Sequence, residues 1–207
     1  MNVLTDALPS GVWIENEWYP IDTDFRTWIA FEIMIQDHTG EQGEFSELVM
    51  GMLFKDVFPK NIVEAMDAIA NFYRCGEISQ KDDGEKSDRL NEPCYSFKYD
   101  AGYIFSAFLQ QYNIDLTETK MHWWKFRALF SGLSEACTIV KIMGYRSADT
   151  RGDMSKAERE HIKRMQMIYA LPRPKNMVKE EDELARILMG DGDLSEYRRK
   201  MERMNEN

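Results

Sequence analysis

Three observations predict a mainly α chain, a compact bundle of about six to eight helices with a small N-terminal β-hairpin. Apolar residues recur at helical spacing through most of the 207 residues. Strand character is confined to GVWIENEWYPID, near the start. Hydrophobic residues make up 43% of the chain and aromatics 12%, ample for a core.

The hairpin occupies about residues 10–22. Val12, Trp13 and Ile14 face Trp18, Tyr19 and Ile21 across a polar turn at Asn16. Pro20 cannot donate to a ladder, so its strand should be an edge. Two strands alone are marginal and need a helix to cover them. DTDFRTWIAFEIMIQDH supplies it, with Asp22 or Thr23 as cap and Phe25, Trp28, Ile29 and Ile33 on one stripe. A shorter helix follows in SELVMGMLF. A third starts near Pro59, carries Ile62, Val63, Met66, Ile69, Ala70 and Tyr73, and stops at Gly76. Residues 77–92 hold almost no apolar side chain and read as a mobile surface loop.

Beyond the loop, Tyr99, Tyr103, Ile104, Phe108 and Tyr112 share one side of a further helix. Thr117 can cap the segment MHWWKFRALFSGL, and Ser134 the one after it. Ser155 and Glu158 form a capping box that opens a long charged helix ending before Pro172. Residues 1–172 are thus read as a single helical domain. Residues 173–207 form a charged helical extension, too poor in apolar positions to fold alone and expected to order against a partner.

Composition excludes several function classes. No run approaches 18 apolar residues, so no membrane-spanning helix is expected, and the start of the sequence lacks the pattern of a secretory signal. Cys75, Cys94 and Cys137 are an odd, scattered set that suits reduced thiols. The net charge of −10 opposes generic nucleic-acid binding. Residues 1–76 hold 13 acids and 4 bases, residues 153–207 hold 12 of each, and the acidic character therefore sits near the N-terminus. That balance describes either a solvated surface or a docking face for a basic partner.

No phosphate-binding, dinucleotide-binding or nucleophile-elbow motif is present. The histidines His38, His122 and His161 have no ligand spacing with one another or with the cysteines, so no metal and no cofactor is expected. GDGD at 190–193 lacks the later ligands of a calcium loop. The acid pairs Asp82–Asp83 and Glu180–Glu183 lie in polar stretches that would not raise a carboxyl pKa for general-acid work. No catalytic residue is assigned, and the chain is read as a non-enzyme.

In MHWWKFRALFSGL, Trp123, Phe126, Phe130 and Leu133 fall on one helical stripe and read as core. Trp124 lies at the margin of that stripe, where an indole serves core or interface equally well. Lys125 and Arg127 are its basic neighbours.

The block YDAGYIFSAFLQQYNIDL, MHWWKFRALFSGL and IMGYRS resembles the bacteriophage gene product fifteen family, found in tailed phages and prophages of Gram-positive bacteria. The matching residues include Tyr103, Ile104, Phe108, Tyr112, Asp115, Leu116, His122, Trp123, Trp124, Phe126, Leu129, Tyr145 and Arg146. Weaker likeness extends over most of residues 10–170. The resemblance implies a tail assembly chaperone or adaptor that binds the tape measure protein, with the tail tube protein as a further partner. The alternative it leaves is a structural component of the tail or head–tail connector. Host cytoplasm during assembly, or the virion for a structural part, is the expected location. Homo-oligomers are compatible with either. The candidate partner-binding residues are Trp124, Lys125, Arg127, Tyr145 and Arg146.

Overall fold

The computed structural model describes residues 2–37, 42–54, 57–76, 93–152 and 154–172, with backbone alone at 42–44. The expected loop at 77–92, the extension at 173–207 and His38 lie outside the described residues. Among these residues the chain is mainly α, with seven helices and an N-terminal two-stranded antiparallel hairpin. They fall into two compact units. One holds residues up to 76 together with 121–127, and the other holds 93–120 together with 128–172.

In the first unit, β1 (Gly11–Ile14) pairs with β2 (Glu17–Pro20) in the register Gly11 to Pro20, Val12 to Tyr19, Trp13 to Trp18 and Ile14 to Glu17. The connecting Glu15 and Asn16 both have positive φ, 49° and 65°, the geometry of a type I′ turn that matches strand twist. Val12, Ile14 and Tyr19 are buried on the inward face, and β1 packs against helix α3 (Ile62–Tyr73). Helices α1 (Phe25–Asp37) and α2 (Gln42–Leu53) pack on one another in the same unit.

The link from hairpin to α1 is clamped from two sides. Asp22 N–H donates to the Leu53 carbonyl at 2.9 Å, and Phe25 N–H donates to the Met121 carbonyl at 2.9 Å. Trp123 N–H returns to the Thr23 carbonyl at 2.8 Å. Asp24, just ahead of α1, accepts from the Arg26 N–H at 2.9 Å and does the capping work expected of Asp22 or Thr23. The buried stripe of α1 is Phe25, Trp28, Phe31, Glu32 and Ile35, whereas Ile29 and Ile33 are half-buried. The larger Phe31 takes the inward position and carries Glu32 in with it. On α3, Asn61 is the cap, two residues after Pro59, and accepts from the Glu64 N–H at 3.2 Å.

Trp28 is fully buried at the centre of this unit. Its indole stacks on Phe72 with centroids 4.7 Å apart and contacts Phe31, Tyr73 and Trp123. Its N–H donates to the Asp22 carbonyl at 2.8 Å.

In the second unit, α4 (Ala101–Tyr112), the later half of α5 (Trp123–Ser131), α6 (Thr138–Ser147) and α7 (Lys156–Ile168) follow in order. Helix α6 packs on both α4 and α7. Ile104, Ala107 and Phe108 form the buried side of α4. Tyr99 and Tyr103, expected beside them, are 51% and 40% exposed. Tyr99 lies ahead of the helix, and Ala107 takes the inward position next to Tyr103. Asn113 ends α4 in the left-handed region at φ 52°, a conformation asparagine tolerates.

Two expected starts move along the chain. Thr117 does not cap α5 but bonds Asp115, and the chain runs on to pair Asp24 with His122 before the helix begins. Ser134 does not cap α6: the helix starts at Thr138, after Cys137, and the Ser134 N–H donates to the Gln111 side chain at 2.9 Å. The start of α7 is as expected, with Ser155 accepting from the Glu158 N–H at 3.2 Å.

Trp28→Ala should lower stability by about 3–5 kcal/mol, as for other buried large-to-small changes. Trp28→Phe should cost less but leave the Asp22 carbonyl without its indole donor, about 1–3 kcal/mol. Urea unfolding followed by circular dichroism measures both.

Candidate functional site

His122, Trp123 and Trp124 converge on the C-terminal turn of α3. The last carbonyls of a helix have no partner within it and must find donors elsewhere. Here Trp123 Nε1–H donates to the Tyr73 carbonyl at 2.8 Å, and Trp124 Nε1–H to the Phe72 carbonyl at 2.9 Å. Consecutive indoles therefore serve consecutive carbonyls. The turn itself is a Schellman motif: Gly76 N–H reaches the Asn71 carbonyl at 2.9 Å, and Cys75 N–H the Phe72 carbonyl at 2.9 Å. Cys75 takes the left-handed position at φ 59°, one residue before the expected Gly76. Gly76, at φ 73°, lies against the Trp124 ring, whose nearest carbon would be 3.3 Å from an added Cβ.

His122 sits at the start of α5 and holds it there. The Pro9 carbonyl can only accept, so Nε2 carries the proton and donates to it at 2.9 Å. Nδ1 is then free to accept from the Trp124 N–H at 3.1 Å. Burial lowers the pKa of this imidazole, against a smaller opposing effect of the Pro9 carbonyl. A neutral, doubly bonded histidine that caps a helix is a structural residue.

Trp124 is 9% exposed and packs at the core margin, with its ring tilted against Phe72 at 5.5 Å. Of the other candidate residues, Lys125 is exposed, while the Arg127 guanidinium lies over the Trp123 ring at 5.6 Å. Arg146 belongs to the second unit and is consumed internally. It forms a two-pronged ion pair with Asp100 at 2.5 and 2.9 Å, and also donates to the carbonyls of Cys94 and Tyr169. Tyr145 stacks on Tyr169, nearly parallel at 6.3 Å, with His161 against its edge. The structure therefore brings Trp124, Lys125 and Arg127 together on one helix, and Tyr145 with Arg146 on another.

Glu32 was not marked by the sequence reading. It is 2% exposed, accepts from the Tyr73 hydroxyl in a short hydrogen bond, and accepts from the Gln36 amide at 3.4 Å. Burial pushes its pKa up to about 7, against smaller lowering effects of Tyr73 and Arg127. An acid at the fourth position after Trp28, inside the apolar run FEIMI, was the available signal.

Among the described residues, no group of three or more His, Cys, Asp or Glu is placed to hold a metal ion. Cys75, Cys94 and Cys137 are free thiols. No described helix is long and apolar enough to cross a membrane. What the surface does display is apolar. Trp13 is 65% exposed and Trp18 42%, Val57 and Phe58 stand out before α3, Tyr99 stands out before α4, and Tyr103 and Leu109 are exposed on α4.

The family model described as Bacteriophage Gp15 protein matches residues 4–171, nearly all of both units. The chain belongs to that family. No curated protein and no solved structure matches it. In this member of the family, the HWW motif closes the end of α3 and the arginine of the GYRS segment closes the second unit.

Two measurements probe this arrangement. Trp124→Phe keeps the ring contact with Phe72 and removes one hydrogen bond, so it should cost about 1 kcal/mol. Trp124→Asp places a carboxylate at the negative end of α3 and should cost more than about 3 kcal/mol in urea unfolding. For Glu32, the folded pKa lies above the unfolded value of about 4.3, so the native state holds the extra proton between the two. Stability should fall as pH rises from about 4.3 through about 7, by on the order of 3 kcal/mol, and level off above. Glu32→Gln should flatten that slope.

Proposed function

We propose that this protein is a non-enzymatic helical adaptor of phage tail assembly, a chaperone that binds the tape measure protein and helps the tail tube assemble. The observation that carries this reading is the exposed apolar surface on an acidic helical scaffold. Tyr99 just before α4, Tyr103 and Leu109 on it, and Met167 and Ile168 at the end of α7, stand 40–80% exposed. Exposed large apolar side chains at several positions of one unit offer contact area for docking of another helix.

A tape measure protein of helical, apolar-striped character would aggregate alone and would be held in solution by surfaces of this kind. The methionines divide in a way that fits: Met50, Met66 and Met121 fill the core, while Met167 is 80% exposed and adaptable. The net charge of −10 keeps such a complex soluble. Tail assembly takes place in the host cytoplasm, and the proposal locates the protein there.

Co-expression with the tape measure protein encoded beside it, then affinity capture and size exclusion, tests the proposal. A soluble co-eluting complex is expected, with the tape measure insoluble when expressed alone. No co-elution, together with recovery of the chain from purified virions, would replace the chaperone with a structural tail or connector component. Tyr99→Asp combined with Tyr103→Asp should reduce capture about tenfold or more while leaving the melting temperature within a few degrees. An unchanged capture would remove the α4 face from the binding surface.

A further inference from the structure

The segment ahead of the hairpin bonds mainly to itself. Asn2 N–H donates to the Asp6 carboxylate at 2.8 Å and Leu4 N–H to the Asn2 side chain at 3.0 Å. The N–H groups of Thr5 and Asp6 both reach the Asn2 carbonyl, at 3.1 and 2.9 Å. Residues 2–7 are exposed, Leu4 at 90%, and only Leu8 and Pro9 are half-buried. Among the described residues, one hydrogen bond ties residues 2–9 to the rest of the unit, from His122 Nε2–H to the Pro9 carbonyl at 2.9 Å.

That tie depends on the protons the imidazole carries. A neutral ring with its hydrogen on Nε2 serves Pro9 with one nitrogen and accepts from the Trp124 N–H with the other. A charged ring donates at both nitrogens, so Nδ1–H would point at the Trp124 N–H. Trp124 is not free to yield. Its indole donates to the Phe72 carbonyl, and the adjoining Trp123 is bonded through both its backbone and its indole N–H. The imidazole must therefore turn, and turning carries Nε2 off the Pro9 carbonyl.

The surroundings oppose the charged form as well. The ring lies at the start of α5, the positive end of the helix dipole. Its neighbours are the Phe72 ring of α3 at 5.7 Å, the Trp124 ring at 6.2 Å, and Asp24 across an isolated bridge, whose carboxylate pairs with Arg26 at 3.4 Å. Burial lowers the imidazole pKa and outweighs the Pro9 carbonyl, and no charged side chain enters the balance.

We propose that His122 is a protonation-gated latch, which holds residues 2–9 on the body when neutral and releases them when charged. Its folded pKa lies below the unfolded value of about 6.5, so its stabilising contribution is complete above that value and is lost as pH falls through the folded one. Glu32 acts with the opposite sign, its contribution fading as pH rises. The latch is independent of the assembly role above.

Nitrogen-15 NMR of the full chain reads the His122 ring and the backbone order parameters of residues 4–8 in one titration. From about pH 7.5 to about pH 4.5, those order parameters should drop from about 0.85 to below about 0.6 in step with the His122 ring, while α3 and α5 stay rigid. His122→Gln sets an amide N–H near the place of Nε2 and does not titrate, so the segment should stay ordered throughout. His122→Phe keeps a ring without nitrogens, and the segment should be mobile throughout. Order that persists while the wild-type ring titrates would overturn the proposal, as would a loss of the same size in His122→Gln. So would a His122→Phe segment as ordered as the wild type at neutral pH.

Discussion

The first unit depends on how α3 ends. A helix terminus with buried, unserved carbonyls is costly, and α3 runs out beside the most aromatic part of the core. The Trp123 indole serves the Tyr73 carbonyl, and the Trp124 indole adds a second donor to the Phe72 carbonyl beside the Cys75 N–H. The rest follows from holding those rings in place. Trp123 must sit beside Tyr73 and Trp28, so the chain ahead of it is pinned against residues 23–25. His122, at the end of that pinned stretch, orients the first turn of α5 and ties it to Pro9. One helix terminus thus draws together the segment before the hairpin, α1 and α5.

The buried Glu32 belongs to the same economy. A carboxyl in an aromatic core is tolerated when its hydrogen-bond partners are supplied, and Tyr73 supplies one from the last turn of α3. An apolar side chain at 32 would leave the Tyr73 hydroxyl without that acceptor, so the pair stands or falls together. In the second unit Asp100 and Arg146 play the corresponding part with full charges, at the side-chain exposures of 3% and 10% that a strong, desolvated pair requires. Each unit therefore buries a carboxyl group in a linkage between elements far apart in sequence, and such linkages specify packing as well as stabilise it.

Much of the architecture was legible because it is local. The hairpin showed in its alternation and its Asn16 turn, α7 in the Ser155 to Glu158 spacing, and the α5 core in the interval from Trp123 to Phe126. What was not legible rests on distant partners. Thr117 has the chemistry of a cap, but strand-like pairing of residues 121–123 with 23–25 delays the helix past it. Ser134 is likewise tied to Gln111, 23 residues earlier, ahead of a helix that begins only after Cys137. The Tyr99 and Tyr103 stripe failed for a different reason. Tyrosine is amphipathic, and periodicity alone does not say which of two apolar sides of a helix faces inward. Glu32 was missed because an acid in an apolar stripe is ordinarily assigned to the flank.

The candidate binding residues show where motif likeness and function part company. His122, Trp123, Trp124 and Arg146 are among the most specific features of the sequence, and each has its polar atoms or rings committed to the chain's own backbone and core. A side chain so committed has little left to offer a partner, because withdrawing it would expose the carbonyls it serves. The groups with free surface are instead Trp13, Trp18, Tyr103 and Leu109, set by strand register and helix phase. Residues that define a family by sequence can thus be those that keep its scaffold closed. Recognition can then be carried by exposed side chains whose identity is free to follow the partner.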